Sequence, residues 1–267
     1  MVENIRTGLA TVKHTGKKNP QSYSERKYRS VLGTGTLVSS FAQVKDTDLH
    51  ILADRDVSGW ASDCAVQYRL QVENYILNHP EFVQSLSPMT YDRYAPAIVR
   101  DMFLAGSKAG VGPMAAVAGV IAEYVGKDLL AKGAREVMVE NGGDIFLHRS
   151  QDCTVAIFAG ESPLSLQVGI KVSEQIMPAG VCTSSGTVGH SLSFGCADSV
   201  TVLSKSTALA DAVATRLGNE VGMESGHSSG LERALQVGRD IDGVLGVVVI
   251  CGEKIGAVGD VELVKTG

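Results

Sequence analysis

The sequence predicts an α+β fold with mixed or antiparallel sheets and packed helices. Three observations lead there. Segments with helical spacing gather at 62–130 and again after 206, short strand-like segments run from 136 to 172, and the C-terminus is rich in Val and Gly. Helices and strands that come in blocks point to the α+β class.

The elements follow in order along the chain. Residues 23–53 read as short strands around a turn at Gly33-Thr34-Gly35, and Leu49 to Asp54 is apolar enough for a central strand. Ser62 to His79 carries Ala65, Val66, Tyr68, Leu70, Val72, Tyr75 and Ile76 at helical spacing and is stopped by Pro80. Residues 81–90 read as a loop, Ala97 to Ala105 as a helix, and Met114 to Leu130 as a long helix of small residues with Pro113 in its first turn. Strands are expected at Glu136–Glu140, Asp144–His148, Cys153–Phe158, Val168–Val172 and Val200–Leu203. The pair Asn141-Gly142 is a hairpin-turn signal. A helix over 206–221, a short helix over Ser229–Val237 and two or three strands within Gly243–Val264 complete the chain. The 267 residues suffice for one large domain over 1–267, or for two intimately packed lobes, and no repeat or long linker divides them.

Composition narrows the function classes. The chain is 44% hydrophobic and 20% charged, as an ordinary globular protein is. No apolar run reaches the roughly 18 residues of a membrane span. The first residues lack the apolar core of a secretory signal. Five cysteines (Cys64, Cys153, Cys182, Cys196, Cys251) are widely spaced and show no Cys-x-x-Cys, which argues for reduced thiols and a cytoplasmic protein. The net charge of −5 and the lack of a nucleic-acid motif argue against nucleic-acid binding. Charge is uneven, however. Residues 1–30 hold seven Lys/Arg against two acids, and Arg26 and Arg29 beside Tyr23 and Tyr28 have the chemistry to hold phosphate and a flat ring.

The most informative segment runs from Ser206 to Gly218. It is an alanine-rich helix with Ser206 as N-cap. Asp211 and Thr215, four residues apart, share one face, and Leu209, Ala212, Val213 and Leu217 hold the helix to a core. A carboxylate one turn before a hydroxyl offers two hard oxygen donors, which suits magnesium or calcium. Taken alone, the helix is read more simply as a capped, half-buried one with a polar pair. Upstream, Gly106-Ser-Lys108-Ala-Gly110-Val-Gly112-Pro113 leads into a helix. Its free amides make Gly110 and Gly112 candidate phosphate contacts. The same small residues, with Ala115, Ala116, Ala118 and Gly119, equally permit close helix packing. The loop lacks the Gly-Lys-Ser/Thr ending of a Walker motif. A serine hydrolase using His190 is disfavoured, because no Gly-x-Ser-x-Gly elbow is present.

Two further segments, Asn141-Gly142-Gly143-Asp144 and Thr183-Ser184-Ser185-Gly186, precede Asp211-Ala-Val-Ala-Thr215. In this order they resemble the ApbE-like flavin transferase family, with its Asn-x-Gly-Gly-Asp/Glu turn, Thr-Ser-Gly loop and Asp-Ala-x-x-Thr helix. The resemblance covers roughly residues 100 to 222 and rests on three short motifs in sequence. The turn here is one residue shorter, the loop one longer, and the Lys-Gly-x-Ala-x-Asp and Pro-x-Thr-Gly segments of the family are missing, which marks a divergent branch. The resemblance implies a magnesium-dependent transferase that passes FMN from FAD to a Thr or Ser of another protein. It makes Asp211 and Thr215 the magnesium ligands. It makes Asn141, Gly142, Gly143, Asp144, Thr183, Ser184, Ser185 and Gly186 the lining of the flavin nucleotide site. Expected partners are a nucleotide ligand, an acceptor or pathway protein and, as an open option, a second copy of the chain. Two alternatives remain on the same fold: an enzyme of anaerobic sulfur and homocysteine metabolism, using Cys182 or Cys196, and a non-catalytic binding or assembly protein.

Overall fold

In the computed structural model, which describes residues 37–186, 195–222 and 226–266, a helical layer and a small sheet cover opposite faces of a large sheet. In chain order the strands are β1 (Val38–Val44), β2 (Thr47–Ala53), β3 (Val137–Asn141), β4 (Asp144–His148), β5 (Cys153–Ala156), β6 (Val168–Val172), β7 (Ala179–Ser184), β8 (Ser199–Ser204), β9 (Val244–Cys251), β10 (Lys254–Gly259) and β11 (Glu262–Lys265). The large sheet has the order β1-β2-β3-β4-β7-β8-β9-β10 and the small one β11-β6-β5, every neighbouring pair antiparallel. The fold is therefore α+β with antiparallel sheets, as the sequence predicts.

The helices are α1 (Ser58–Asn78), α2 (Glu81–Gln84), α3 (Ala97–Ala109), α4 (Val117–Ala131), α5 (Thr207–Glu220) and α6 (Gly226–Asp240). Strand periodicity of two divides the large sheet between two cores. On β4, Phe146 faces the helices while Ile145 and Leu147 face the small sheet; on β9, Val247 and Val249 face the helices and Val248 and Ile250 the small sheet. Burial on both faces explains why these strands read as continuous apolar runs rather than alternating ones.

Helix α5 lies in the middle of the helical layer, packed against β7, β8, α3, α4 and α6. Every residue from Thr207 to Ala214 is buried. Its alanines make that possible, because a helix surrounded on all sides needs short side chains to let neighbours approach. The Ser206 hydroxyl accepts from the Leu209 N–H at 3.2 Å, the N-cap the sequence predicts. Glu123 of α4 reinforces it by accepting from the Ala208 N–H at 3.1 Å and the Ser206 hydroxyl at 3.3 Å.

Three elements differ from expectation. Residues 179–184 form strand β7, which no strand signal predicts and which takes in Thr183 and Ser184, expected in a loop. Gly180 lies so tightly against Thr207 at the start of α5 that no Cβ fits there, and small residues chosen for that contact hide the strand pattern. Pro113 opens a single 3₁₀ turn, Pro113–Ala116, and α4 proper begins at Val117. Residues 81–84, expected as loop, make the one-turn helix α2, which buries Phe82. The turn at 33–35, the Arg26/Arg29/Tyr23/Tyr28 group and His190 lie outside the described residues. Among the described residues no single helix is long and apolar enough to cross a membrane.

Candidate functional site

The site is built where the β3–β4 hairpin, the end of β7, the start of α4 and the middle of α5 meet. Asn141 and Asp144 face each other across the hairpin, so Gly142 and Gly143 are its two turn residues. Both have positive φ, 69° and 107°, a geometry that side chains with a Cβ resist and that two-residue hairpins demand. The Gly143 N–H donates to the buried Glu140 carboxylate at 3.0 Å, which ties the turn to its own strand. Asn141, also buried, donates through Nδ2 to the Ala118 carbonyl at 3.0 Å.

Asp211 reaches the same stretch of chain from the opposite side. Its Oδ2 accepts from the Gly119 N–H at 2.8 Å, and the Ala118 N–H also contributes to holding this carboxylate. Asn141 and Asp211 thus clamp the first turn of α4 between them. The close approach depends on Gly119: a Cβ there would stand 2.6 Å from the Thr207 carbonyl oxygen and 2.7 Å from the Asp211 Cβ. The amides at this helix start, expected to be free for phosphate, are instead engaged by a protein carboxylate. An internal anion occupies the favourable end of the helix dipole.

Asp144 is the third polar residue here. Its strand pairs with β7 in the register Asp144↔Cys182, and the next β7 residue is Thr183. Burial pushes the Asp144 carboxyl well above the usual range, with the charge of Asp211 adding to the effect. Burial likewise raises Asp211 to about 7, against the pull of the Gly119 and Ala118 amides. Two carboxyl groups removed from water and close to each other cannot both ionise cheaply. Cys182, buried beside them, donates through Sγ to the Thr207 carbonyl at 3.4 Å. Burial, with the charges of Asp144 and Asp211 adding to it, pushes its thiol well above the normal value.

The Thr183-Ser184-Ser185-Gly186 segment completes this side. Thr183 and Ser184 are the last residues of β7, and Thr183 Oγ1 lies 3.0 Å from Thr201 Oγ1. The Gly186 N–H donates to the Ala197 carbonyl at 2.9 Å. A Cβ on Gly143 would come within 3.6 Å of the Thr183 carbonyl, so hairpin and loop are neighbours. Thr215 lies one turn beyond Asp211 on α5 and is only partly buried.

Gly110 and Gly112 have other neighbours. Gly110 ends α3 in the left-handed conformation and sits against the Arg216 guanidinium, while Gly112 abuts the Ser85 carbonyl so closely that no Cβ fits. These contacts account for both glycines by packing. The loop at 106–112 meets α5 through Gly110 against the Arg216 guanidinium, and the 183–186 loop through Gly186 against Gly195, which itself abuts the Gly218 carbonyl. Gly119, Glu123 and the backbone of Ala118 are the site residues that motif reading misses. Their one sequence signal is the run of small residues after Pro113, which marks close packing but not what is packed.

The donor set can be tested against a metal. Asp211, Asp144 and the Thr215 hydroxyl are hard oxygen donors, and a buried carboxylate pair with raised pKa values is short of positive charge. Among the described residues no group of three or more His, Cys, Asp or Glu forms a cage. Oxygen donors of this kind suit a hard cation such as magnesium.

A family profile described as "AbpE bacteria" matches residues 29–262. A protein of Methanococcus aeolicus, called UPF0280 protein, is 41% identical over 228 residues, covering 84% of this chain and 91% of its own length. The UPF0280 protein of Methanocaldococcus jannaschii is 42% identical over 229 residues, with the same coverage of 84% and 91%. Among solved structures, the apo flavinyl transferase ApbE of Pseudomonas stutzeri aligns with a TM-score of 0.52 at 15% identity, over 83% of this chain and 94% of that one. The ApbE protein of Thermotoga maritima aligns with a TM-score of 0.53 at 12% identity, over 82% and 96%. At such identities the structural likeness speaks for the fold. Profile and relatives together show that the chain belongs to the ApbE-like family, as a divergent branch shared with the UPF0280 proteins.

Proposed function

We propose that this protein binds a flavin dinucleotide at the junction of the β3–β4 hairpin, the end of β7 and α5, and acts there as a flavin transferase or its close functional relative. The observation that carries this reading is the convergence of the three sequence motifs. Asn141 and Asp211 grip the same turn of α4, Asp144 is raised by burial and then by the charge of Asp211, and Thr183 adjoins Gly143. Motifs about 25 to 70 residues apart in the chain bring polar groups together in a buried place, which is costly unless those groups have a use there.

Asp211 and Thr215 are the proposed magnesium ligands, with Asp144 close enough to Asp211 to feel its charge. Magnesium at that position supplies the positive charge that offsets the phosphate oxygens of the dinucleotide. The chain's own groups do the rest. The hydroxyls of Thr183, Ser184 and Ser185 are donors for phosphate or ring carbonyl oxygens, and the Gly142-Gly143 turn, tied to Glu140 through the Gly143 N–H, is the proposed backbone wall beside them. Asn141, held by Ala118, fixes the hairpin against α4 so that those donors keep their places. Gly110 and Gly112 contribute by letting α3 close on its neighbours. In the transferase reading an acceptor hydroxyl takes the FMN phosphoryl group and AMP leaves. The acceptor is a separate protein, and the whole is proposed to work in the cytoplasm.

Thermal melts test the binding step. A ligand that binds only the folded state raises Tm by mass action. FAD with Mg²⁺ is expected to raise Tm, and FAD with EDTA to do so far less. If neither FAD nor FMN shifts the melt in the presence of Mg²⁺, the reading fails. Release of AMP on incubation with FAD, Mg²⁺ and acceptor separates a transferase from a protein that only binds.

A further inference from the structure

A cavity of 290 Å³ opens between α1 and α4. That is near the lower end of ligand pockets, which run from roughly 300 to 1,000 Å³, and suits a short chain or a single ring rather than a dinucleotide. Its walls are apolar: Val72 and Ile76 come from α1, Met114 from the turn before α4, and Ile121 from α4 itself. One cation, Arg69, lines it. The guanidinium is fixed on three sides. Nε donates to Glu73 at 2.6 Å, Nη1 to the Thr47 hydroxyl at 2.9 Å and Nη2 to Asp46 at 3.0 Å.

The three partners are not equal. The Arg69 side chain is only 17% exposed and Glu73 29%, but Asp46 is 95% exposed. An ion pair whose acid is almost wholly in water is weakly held. Asp46 is therefore replaceable, while Glu73 keeps the guanidinium aimed at the cavity. We propose that this cavity binds a small molecule with an apolar body and one carboxylate, which displaces Asp46 from Arg69 while its body fills the space between α1 and α4. A ligand carboxylate there takes the Nη edge of the fork and, unlike Asp46, is shielded from solvent by its own apolar body. The charge count selects a monoanion. Lys45 and Arg69 face Asp46 and Glu73 at this mouth, so removing Asp46 leaves one positive charge to be matched. Ala118 and the buried Asn141 also line it, so the cavity abuts the proposed nucleotide site at Asn141, which both share.

The full chain can be titrated with hexanoate and with its uncharged counterpart hexanamide, followed by methyl NMR of Met114, Ile76 and Ile121. Saturable shifts at these methyls are expected with hexanoate. Arg69→Gln is expected to weaken hexanoate by about tenfold, as loss of a charge-assisted pair does, and to leave hexanamide unchanged. Asp46→Asn is expected to tighten hexanoate severalfold, because it removes the competing carboxylate. Absence of saturable shifts, or the same affinity in either variant as in the parent, overturns the proposal. So does displacement of hexanoate by FAD with Mg²⁺, which would make the cavity part of the nucleotide site. Should Arg69→Gln fail to fold, Asp46→Asn decides the matter alone, since it alters only an exposed side chain. Hexanoate binding in a protein that never binds FAD would leave the cavity site standing and sink the nucleotide reading only.

Discussion

At the scale of single residues, the site depends on groups that are costly to bury. Asp211 is raised from 3.8 to about 7 by burial, so between those values the folded state holds a proton that the unfolded state has lost. Stability from this group is full below the unfolded value and is lost as pH rises through the folded one. Asp211→Asn removes the titration. In metal-free buffer the variant should therefore gain on the parent by on the order of a few kcal/mol between pH 4 and pH 7.5. Urea midpoints at several pH values check this, and parallel curves for the two proteins would contradict it. Gly119→Ala tests the close approach. The added methyl meets the Thr207 carbonyl at 2.6 Å and the Asp211 Cβ at 2.7 Å, so the expected cost is about 1–3 kcal/mol. Flavin binding should weaken along with it. A Gly119→Ala protein as stable as the parent would show that α4 and α5 are not locked as described. These residue-level contacts were only half legible in the sequence. Asp211 and Thr215 stand out because their spacing puts a carboxylate and a hydroxyl on one helix face. Gly119 does not stand out, because a glycine needed for its neighbour's carbonyl looks like any other glycine in a helix of small residues.

At the scale of elements, α5 is held by its N-terminus. Glu123 is buried, accepts from the Ala208 N–H and the Ser206 hydroxyl, and is neutralised by Lys127 at 2.6 Å. Glu123→Ala orphans that buried amide and hydroxyl and strips the cap of its support. A loss of about 2 kcal/mol is expected. Lys127→Ala should cost less, because that side chain is 54% exposed. Chemical denaturation of the two variants gives the comparison, and a larger loss for Lys127→Ala would contradict it. Strand β4 and helix α5 were readable because each has an unbroken pattern between clear stops. Strand β7 was not, since Gly180 and Cys182 are small for the sake of Thr207, and the requirement comes from a helix some 25 residues later. The 3₁₀ turn at Pro113 was also missed. Proline marks a first turn in either helix type and does not tell them apart.

At the scale of the whole molecule, the large sheet is the common wall of two cores, and that ties the three layers together. Leu147, Val181 and Val248 face the small sheet, while Phe146, Val202 and Val249 on the same sheet face the helices. We propose that the chain unfolds as one domain. Trp60, the single tryptophan, lies on α1, so its fluorescence reports the helical layer while far-ultraviolet circular dichroism averages over every helix and strand. Coincident urea transitions are expected, and two separated ones would point to two lobes. The fold class was legible because block order and turn chemistry are local. The face of each strand and the gathering of the motifs were not, because both are fixed by antiparallel pairing between segments far apart in sequence. Whether the motifs form one metal-dependent flavin site is decided by calorimetric titration of FAD into the parent and Asp211→Ala proteins, each with Mg²⁺ and with EDTA. The parent is expected to bind FAD much more tightly with Mg²⁺, and Asp211→Ala to lose this dependence while remaining folded. Equal binding by both proteins, or no binding by either, would contradict it.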